Sequence, residues 1–306
     1  MAIPLMLLAM LAVRRFQSRV ELIALVFGTG AALAALALVA MWIVPPWWTP
    51  IVFLVIYAVF AIVRLARLPR IPDTLPGSIS GWVGTALFLA LGIWSGTMLA
   101  DAYRGRQAPP ETVDLSFPLA AGTYLIVNGG ATATVNAHFL TLNPVTVRQR
   151  AYHGQSFAVD LVEVDNFGFR ADRWRPRDPA RYAIFGDPVL SPCSGDVLRT
   201  EDDRRDMPVP LTDQEMIEGN HVVLQCGEVG VLLAHLQRGS ILVNKGDLVT
   251  VGQPLGSVGN SGQTGEPHLH VHAQRMPKSG PLLSGQPLHL TFDGRFPVRG
   301  QRFVIE

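Results

Sequence analysis

Apolar positions are distributed unevenly along this chain. Residues 21–44 (ELIALVFGTGAALAALALVAMWIV) run for about 24 positions with a charge only at the first, enough to cross roughly 30 Å of hydrocarbon. After Pro45-Pro46, a second run covers residues 47–63, starting at the interfacial Trp47-Trp48 pair, and a third covers 79–100. Residues 2–13 are apolar too, but about a dozen positions fall short of a span. Arg14, Arg15 and Arg19 follow them in place of a small-residue cleavage site, so an interfacial or partly inserted helix is expected. The pattern predicts a membrane region over residues 1–103 with transmembrane helices at 21–44, 47–63 and 79–100.

The texture changes at residue 104. Pro109-Pro110 marks a linker over 104–122, and residues 123–306 read as short strands punctuated by Gly, Pro, Asn and Asp. Residues 124–127 (YLIV) run into the turn Asn128-Gly129-Gly130, and residues 157–164 (FAVDLVEV) read as a buried strand interrupted by Asp160. Further strands are expected at 220–226, 229–236, 240–243 and 256–258. No long helical period follows residue 104, which makes the outer domain mostly β.

Charge sets the orientation. Arg14, Arg15 and Arg19 precede the first span, Arg64, Arg67 and Arg70 follow the second, and the turn between the spans carries no Lys or Arg. Both basic clusters therefore face the cytoplasm, and everything after Asp101 lies outside it. A net charge of +1 argues against a general nucleic-acid binder, which needs a basic face. The two cysteines, Cys193 and Cys226, are too few for a disulfide framework or a Cys-rich zinc module. In an oxidising compartment they form either a bridge or two buried thiols. The interiors of the spans lack charges, which speaks against a transport pathway.

The candidate chemistry lies in residues 259–274, GNSGQTGEPHLHVHAQ. Three of the eight histidines, His268, His270 and His272, alternate there after a Gly-rich turn. On a strand they share one face, and neutral imidazole is the commonest metal ligand. A hydrolytic zinc site needs three protein ligands and an open position for water. Asp160, His138, His153 and His235 are the other available parts; an unpaired carboxylate inside an apolar strand would be costly.

The PHLHVH run after a GNSG turn, the LLAHL segment before it and VNKGDLVTVGQPLGSVGNSG together resemble the lysostaphin-type zinc endopeptidases, most closely over residues 160–274. That resemblance implies a β-sheet peptidase domain of antiparallel sheets (a duplicated hybrid motif) that cleaves peptide bonds in bacterial peptidoglycan cross-links. It implies Zn²⁺ as cofactor, His268 and His235 as catalytic histidines, and Asp160 and His270 as metal ligands. The family pattern places its first ligand His four residues before the Asp, where this chain has Ser156. His138 resembles the arrangement of divergent relatives, in which an Asn-containing segment after a Gly-Gly turn supplies that ligand; His153 is the alternative. His272 is expected in a supporting or groove-lining position, His221 in a structural one, and His289 carries no motif. The implied partners are a peptidoglycan peptide and the lipid bilayer, with room for an unknown protein activator, at the bacterial cytoplasmic membrane with the outer domain in the periplasm or outside the cell. The competing expectation is a catalytically inactive zinc- or peptidoglycan-binding regulator of cell-wall hydrolysis.

Overall fold

A computed structural model describes residues 2–306, which divide into two compact units, residues 2–104 and 105–306. The first holds four helices: α1 (Ala2–Val13), α2 (Arg19–Val39), α3 (Thr49–Leu65) and α4 (Ile79–Arg104). Three helical stretches, Arg19–Val39, Thr49–Arg70 and Ile79–Arg104, are long and apolar enough to cross a membrane. The Ser18 hydroxyl accepts from the Glu21 amide and starts α2. This helix stops at Val39, short of the expected 44. Prolines at 45 and 46 push the preceding residue out of helical conformation, and the Trp42 indole donates to the Leu36 carbonyl at 2.9 Å. Gly28 lets α2 approach the Phe88 backbone of α4, where any Cβ would clash. The Arg64 guanidinium donates to the terminal carbonyls of α1, Leu11 (2.8 Å) and Ala12.

The second unit is built from twelve strands: β1 (Thr112–Leu115), β2 (Gly122–Asn128), β3 (Val159–Glu163), β4 (Pro188–Leu190), β5 (Gly195–Glu201), β6 (Asn220–Cys226), β7 (Val229–Leu236), β8 (Leu248–Val249), β9 (Pro254–Ser257), β10 (Leu269–Arg275), β11 (Gln286–Phe292) and β12 (Arg302–Ile305). Ten of them form one sheet ordered β12-β2-β3-β10-β7-β6-β5-β8, with β11 also on β10 and β1 parallel to β11; β4 and β9 pair separately. The fold is thus apolar helices followed by a mostly antiparallel β domain, as the pattern predicts. Two expectations differ. Residues 104–122 are not a free linker, because β1 pairs with β11 and buries Leu115. Residues 240–243 form no strand; Leu242 makes only an isolated backbone bond to Leu255. Between β2 and β3 the chain instead makes short helical turns, Ala137–Thr141, α5 (Val147–Ala151) and His153–Phe157.

Strand alternation explains the core. Leu269, Val271 and Ala273 of β10, Val159 and Leu161 of β3, and Val231 and Leu233 of β7 all point to one face. There they meet Phe117, Phe292 and Phe303, whose rings pack 5.3–6.2 Å apart. Cys193 and Cys226 are bridged, with Cα atoms 5.9 Å apart and a sequence separation of 33. A closed loop of that length limits the unfolded chain by about 3–4 kcal/mol on the loop-entropy scale.

Tyr124 donates its hydroxyl to Asp187 at 3.3 Å. Burial, with Glu163 nearby, pushes the Asp187 carboxyl up to about 7. A folded-state value above the unfolded one means that this group's contribution is full below about pH 4 and lost as the pH rises through 7. Asp187→Asn keeps the acceptor without the charge. It is expected to melt higher than wild type at pH 8, with the gap closing towards pH 4; an equal gap at both pH values would contradict the assignment.

Candidate metal centre

The face of the sheet opposite that core carries the polar residues. His270 on β10 stands directly opposite Asp160 on β3, and Asp160 stands opposite Asn128 on β2. Antiparallel pairing therefore brings residues far apart in sequence into one row. His270 Nδ1 lies 3.0 Å from Asp160 Oδ1, and His138 Nε2 lies 3.0 Å from Asp160 Oδ2. These three side chains offer donor atoms within 4.8 Å of one another. His138 reaches the row from the helical turn after β2. Asn136 caps that turn by accepting from the His138 amide at 3.1 Å, while its amide group donates to the Ala158 carbonyl at 3.0 Å. His153 turns elsewhere, its Nδ1 3.1 Å from the Gly285 carbonyl.

Two β-bulges complete the row. Between Ile126 and Asn128 the register against β3 slips by one, so Asn128 leaves the core face of Tyr124 and Ile126 and donates to Asp160 Oδ2 at 2.8 Å. On β7, Asn220 pairs with Leu236 but His221 pairs with Ala234, which leaves His235 as the extra residue. Its φ of 66° is left-handed, a strained conformation for a residue with a Cβ. Simple alternation would send His235 into the core behind Val231 and Leu233. The bulge gives that place to Leu236 and turns His235 to the polar side, its ring 4.7 Å from that of His268.

Burial acts in opposite senses on the carboxylate and on the buried rings, and the neighbours of Asp160 outweigh it. Burial would raise the Asp160 carboxyl, but His138 and His268 beside it, with hydrogen bonds from His138 and His270, hold it well below the usual range. Burial pushes His235 and His272 far down, and His270 down despite Asp160. Two ring nitrogens and a carboxylate oxygen converging on one point are the N/O set that zinc takes in hydrolytic sites. This donor set fits zinc.

Carbonyl oxygens fix the remaining rings. His235 Nδ1 lies 2.8 Å from the Ser261 carbonyl, and His268 Nδ1 2.9 Å from that of Glu266. A carbonyl only accepts, so both Nδ1 atoms donate and both Nε2 atoms point away from these carbonyls, that of His268 lying 3.7 Å from Asp160 Oδ1. His272 sits behind the row with its Nδ1 3.2 Å from His270 Nε2. The site opens into a cleft of about 410 Å³, bordered by Arg148, Tyr152, Gln155 and Gln263. His221 is buried with Nδ1 on the Gly219 carbonyl, and His289 stacks on Phe157 at 3.8 Å, pushed down to about 4 by burial.

Sequence reasoning passed over Asn128, Asn136, Glu266 and Arg299. Arg299 donates to Asn128 Oδ1 at 2.6 Å and so orients the amide that meets Asp160. The Asn-Gly-Gly turn and the Asn before His138 were the available signals, but no residue near position 299 carries one.

A sheet row of two imidazoles and a carboxylate, beside two histidines whose Nδ1 atoms face backbone carbonyls, makes a candidate zinc centre. Residues 181–282 match the family model for peptidase family M23, in agreement with the lysostaphin-type resemblance of the sequence. No curated protein matches the chain. Among solved structures, it is similar to a putative M23 peptidase from Pseudomonas aeruginosa, at 24% identity over 30% of this chain and 35% of that one, with a TM-score of 0.23. It is similar to the catalytic domain of the antimicrobial peptidase lysostaphin from Staphylococcus simulans, at 21% identity over 42% of this chain and 73% of that one, with a TM-score of 0.27. The third is a zinc-containing peptidase from Vibrio cholerae, at 20% identity over 43% of this chain and 48% of that one, with a TM-score of 0.24. This chain spans about a third of the Pseudomonas protein and about half of the Vibrio protein.

Proposed function

We propose that this chain is a membrane-tethered zinc endopeptidase that hydrolyses peptide bonds in peptidoglycan cross-links. The observation that carries the reading is the convergence of His138, Asp160 and His270 beside His235 and His268, whose Nδ1 atoms are tied to backbone carbonyls. His138 Nε2, an Asp160 oxygen and His270 Nδ1 would hold the zinc. When bound, the metal lowers the pKa of a water molecule and polarises the scissile carbonyl. Asn128 holds the second Asp160 oxygen, and His272 Nδ1 would accept a hydrogen bond from His270 Nε2–H, so the ligand side chains keep their orientation. Between them, His235 and His268 accept the proton of the attacking water at Nε2 and return it to the leaving amine. The cleft admits an extended peptide, with Arg148 as the cation on its wall.

Three helices of membrane length support a multi-pass anchor in a bacterial cytoplasmic membrane. The arginine clusters flanking the first two spans support an orientation with residues 105–306 outside the cytoplasm. A tether there suits a polymeric substrate that cannot diffuse inward. The test is digestion by the full chain of cross-linked peptidoglycan, of uncross-linked glycan strands and of casein, each with and without chelation and zinc return. Chelator-sensitive loss of cross-links alone is expected. Cleavage of casein alone would move the substrate class, and bound zinc with no cleavage would make the chain a binding regulator.

A further inference from the structure

The loop that carries His268 is held from outside the zinc site. Arg170, in the irregular segment between β3 and β4, is buried and forks onto Glu266, with Nε 2.6 Å from Oε1 and Nη2 2.7 Å from Oε2. Its guanidinium lies 5.3 Å from the centre of the Tyr182 ring, and both Nη atoms face the Trp174 carbonyl at 3.4 and 3.5 Å. Planar, bidentate and stacked, this arrangement is one that lysine cannot reproduce. A buried ion pair adds little net stability over a well-packed apolar pair, so what it supplies here is position.

The position concerns a single oxygen atom. The Glu266 carbonyl accepts from Thr264 Oγ1 at 2.6 Å and faces His268 Nδ1 at 2.9 Å, while Thr264 Oγ1 is itself 3.1 Å from that nitrogen. Gly262 and Gly265 on the approach leave the backbone free to turn, and a Cβ at Gly265 would meet nothing. One residue is thus held at both ends, its carboxylate by Arg170 and its carbonyl between Thr264 and His268.

We propose that Glu266, clamped by Arg170, is a positioning residue for His268: it fixes the tautomer with the proton on Nδ1 and the lone pair on Nε2 towards the cleft. The catalytic consequence rests on the endopeptidase reading; the tautomer does not. The experiment compares the full zinc-loaded chain in detergent with Arg170→Leu, Arg170→Lys and Glu266→Gln. Long-range proton–nitrogen spectra of the imidazoles, with the His268 signals assigned by their loss in His268→Ala, are expected to show a protonated Nδ1 in wild type. Mixed tautomers are expected in Arg170→Leu and Glu266→Gln. Zinc per chain should stay at the wild-type value. On cross-linked peptidoglycan fragments, kcat should fall about ten-fold with KM changed less than about two-fold, as for loss of a group that orients an active-site ligand. In the His268→Ala background the same substitutions should cost nothing further. If Arg170→Leu fails to fold, Arg170→Lys, which keeps the charge and loses the fork, carries the comparison. A wild-type His268 protonated on Nε2, an unchanged tautomer in the variants, or an equal loss of kcat without His268 would overturn the proposal. If wild type digests nothing, the endopeptidase reading fails and the spectra still decide this one.

Discussion

His138→Ala, Asp160→Ala and His270→Ala are each expected to strip zinc from the chain and abolish digestion, whereas His153→Ala leaves both unchanged. Groups that merely orient metal ligands cost about 10–100-fold in affinity when removed; loss of one of three ligands should exceed that. Asn128→Ala, which removes the hydrogen bond that the Asn128 amide donates to Asp160 but no metal-ligating atom, should fall inside that range and so grade the series. Zinc per chain by elemental analysis, followed across a chelator titration, separates the classes. The His138 and His153 variants matter most. His138 Nε2 is 3.0 Å from Asp160, while His153 is occupied with a backbone carbonyl on the other side of its helical turn. Zinc kept in His138→Ala and lost in His153→Ala would contradict the arrangement of the centre.

That pair also marks the limit of what the sequence discloses. The run from His235 to His272 lies inside residues 181–282, the segment matched by the peptidase family, and its motifs are compact. HLHVH announces a shared face because strand alternation is local. Asp160 is legible for a related reason, as a charge in an apolar strand must have a partner. His138 has no such signal. It lies outside the matched segment and 22 residues before Asp160. It reaches the carboxylate only through a helical turn whose direction depends on Asn136 and on the Asn128 bulge. The helices of membrane length were legible from apolar length, but the end of Arg19–Val39 was not, as it comes with the Trp42 indole bonded to the Leu36 carbonyl. Linker composition misled at β1, where Leu115 is buried by a parallel pairing with a strand about 180 residues later. Non-local pairing of that kind leaves no periodic trace in a four-residue segment.

The second large effect is expected at the two histidines that hold no metal. His268→Ala and His235→Ala should retain a full complement of zinc and lower kcat by about 10²–10⁴-fold, the range for loss of a general acid or base. Chelator titration must match wild type; zinc lost together with activity would make either residue a ligand instead. His235 carries a further signature, because its position owes everything to a bulge that alternation alone does not foretell. At φ 66° its backbone is left-handed, a conformation that costs a residue with a Cβ roughly 1–2 kcal/mol and costs glycine almost nothing. His235→Gly should therefore be as inactive as His235→Ala yet melt higher, because it sheds the strain along with the imidazole. If the alanine variant is the more stable of the two, the strand is regular there in solution, and His235 points into the core instead of the cleft.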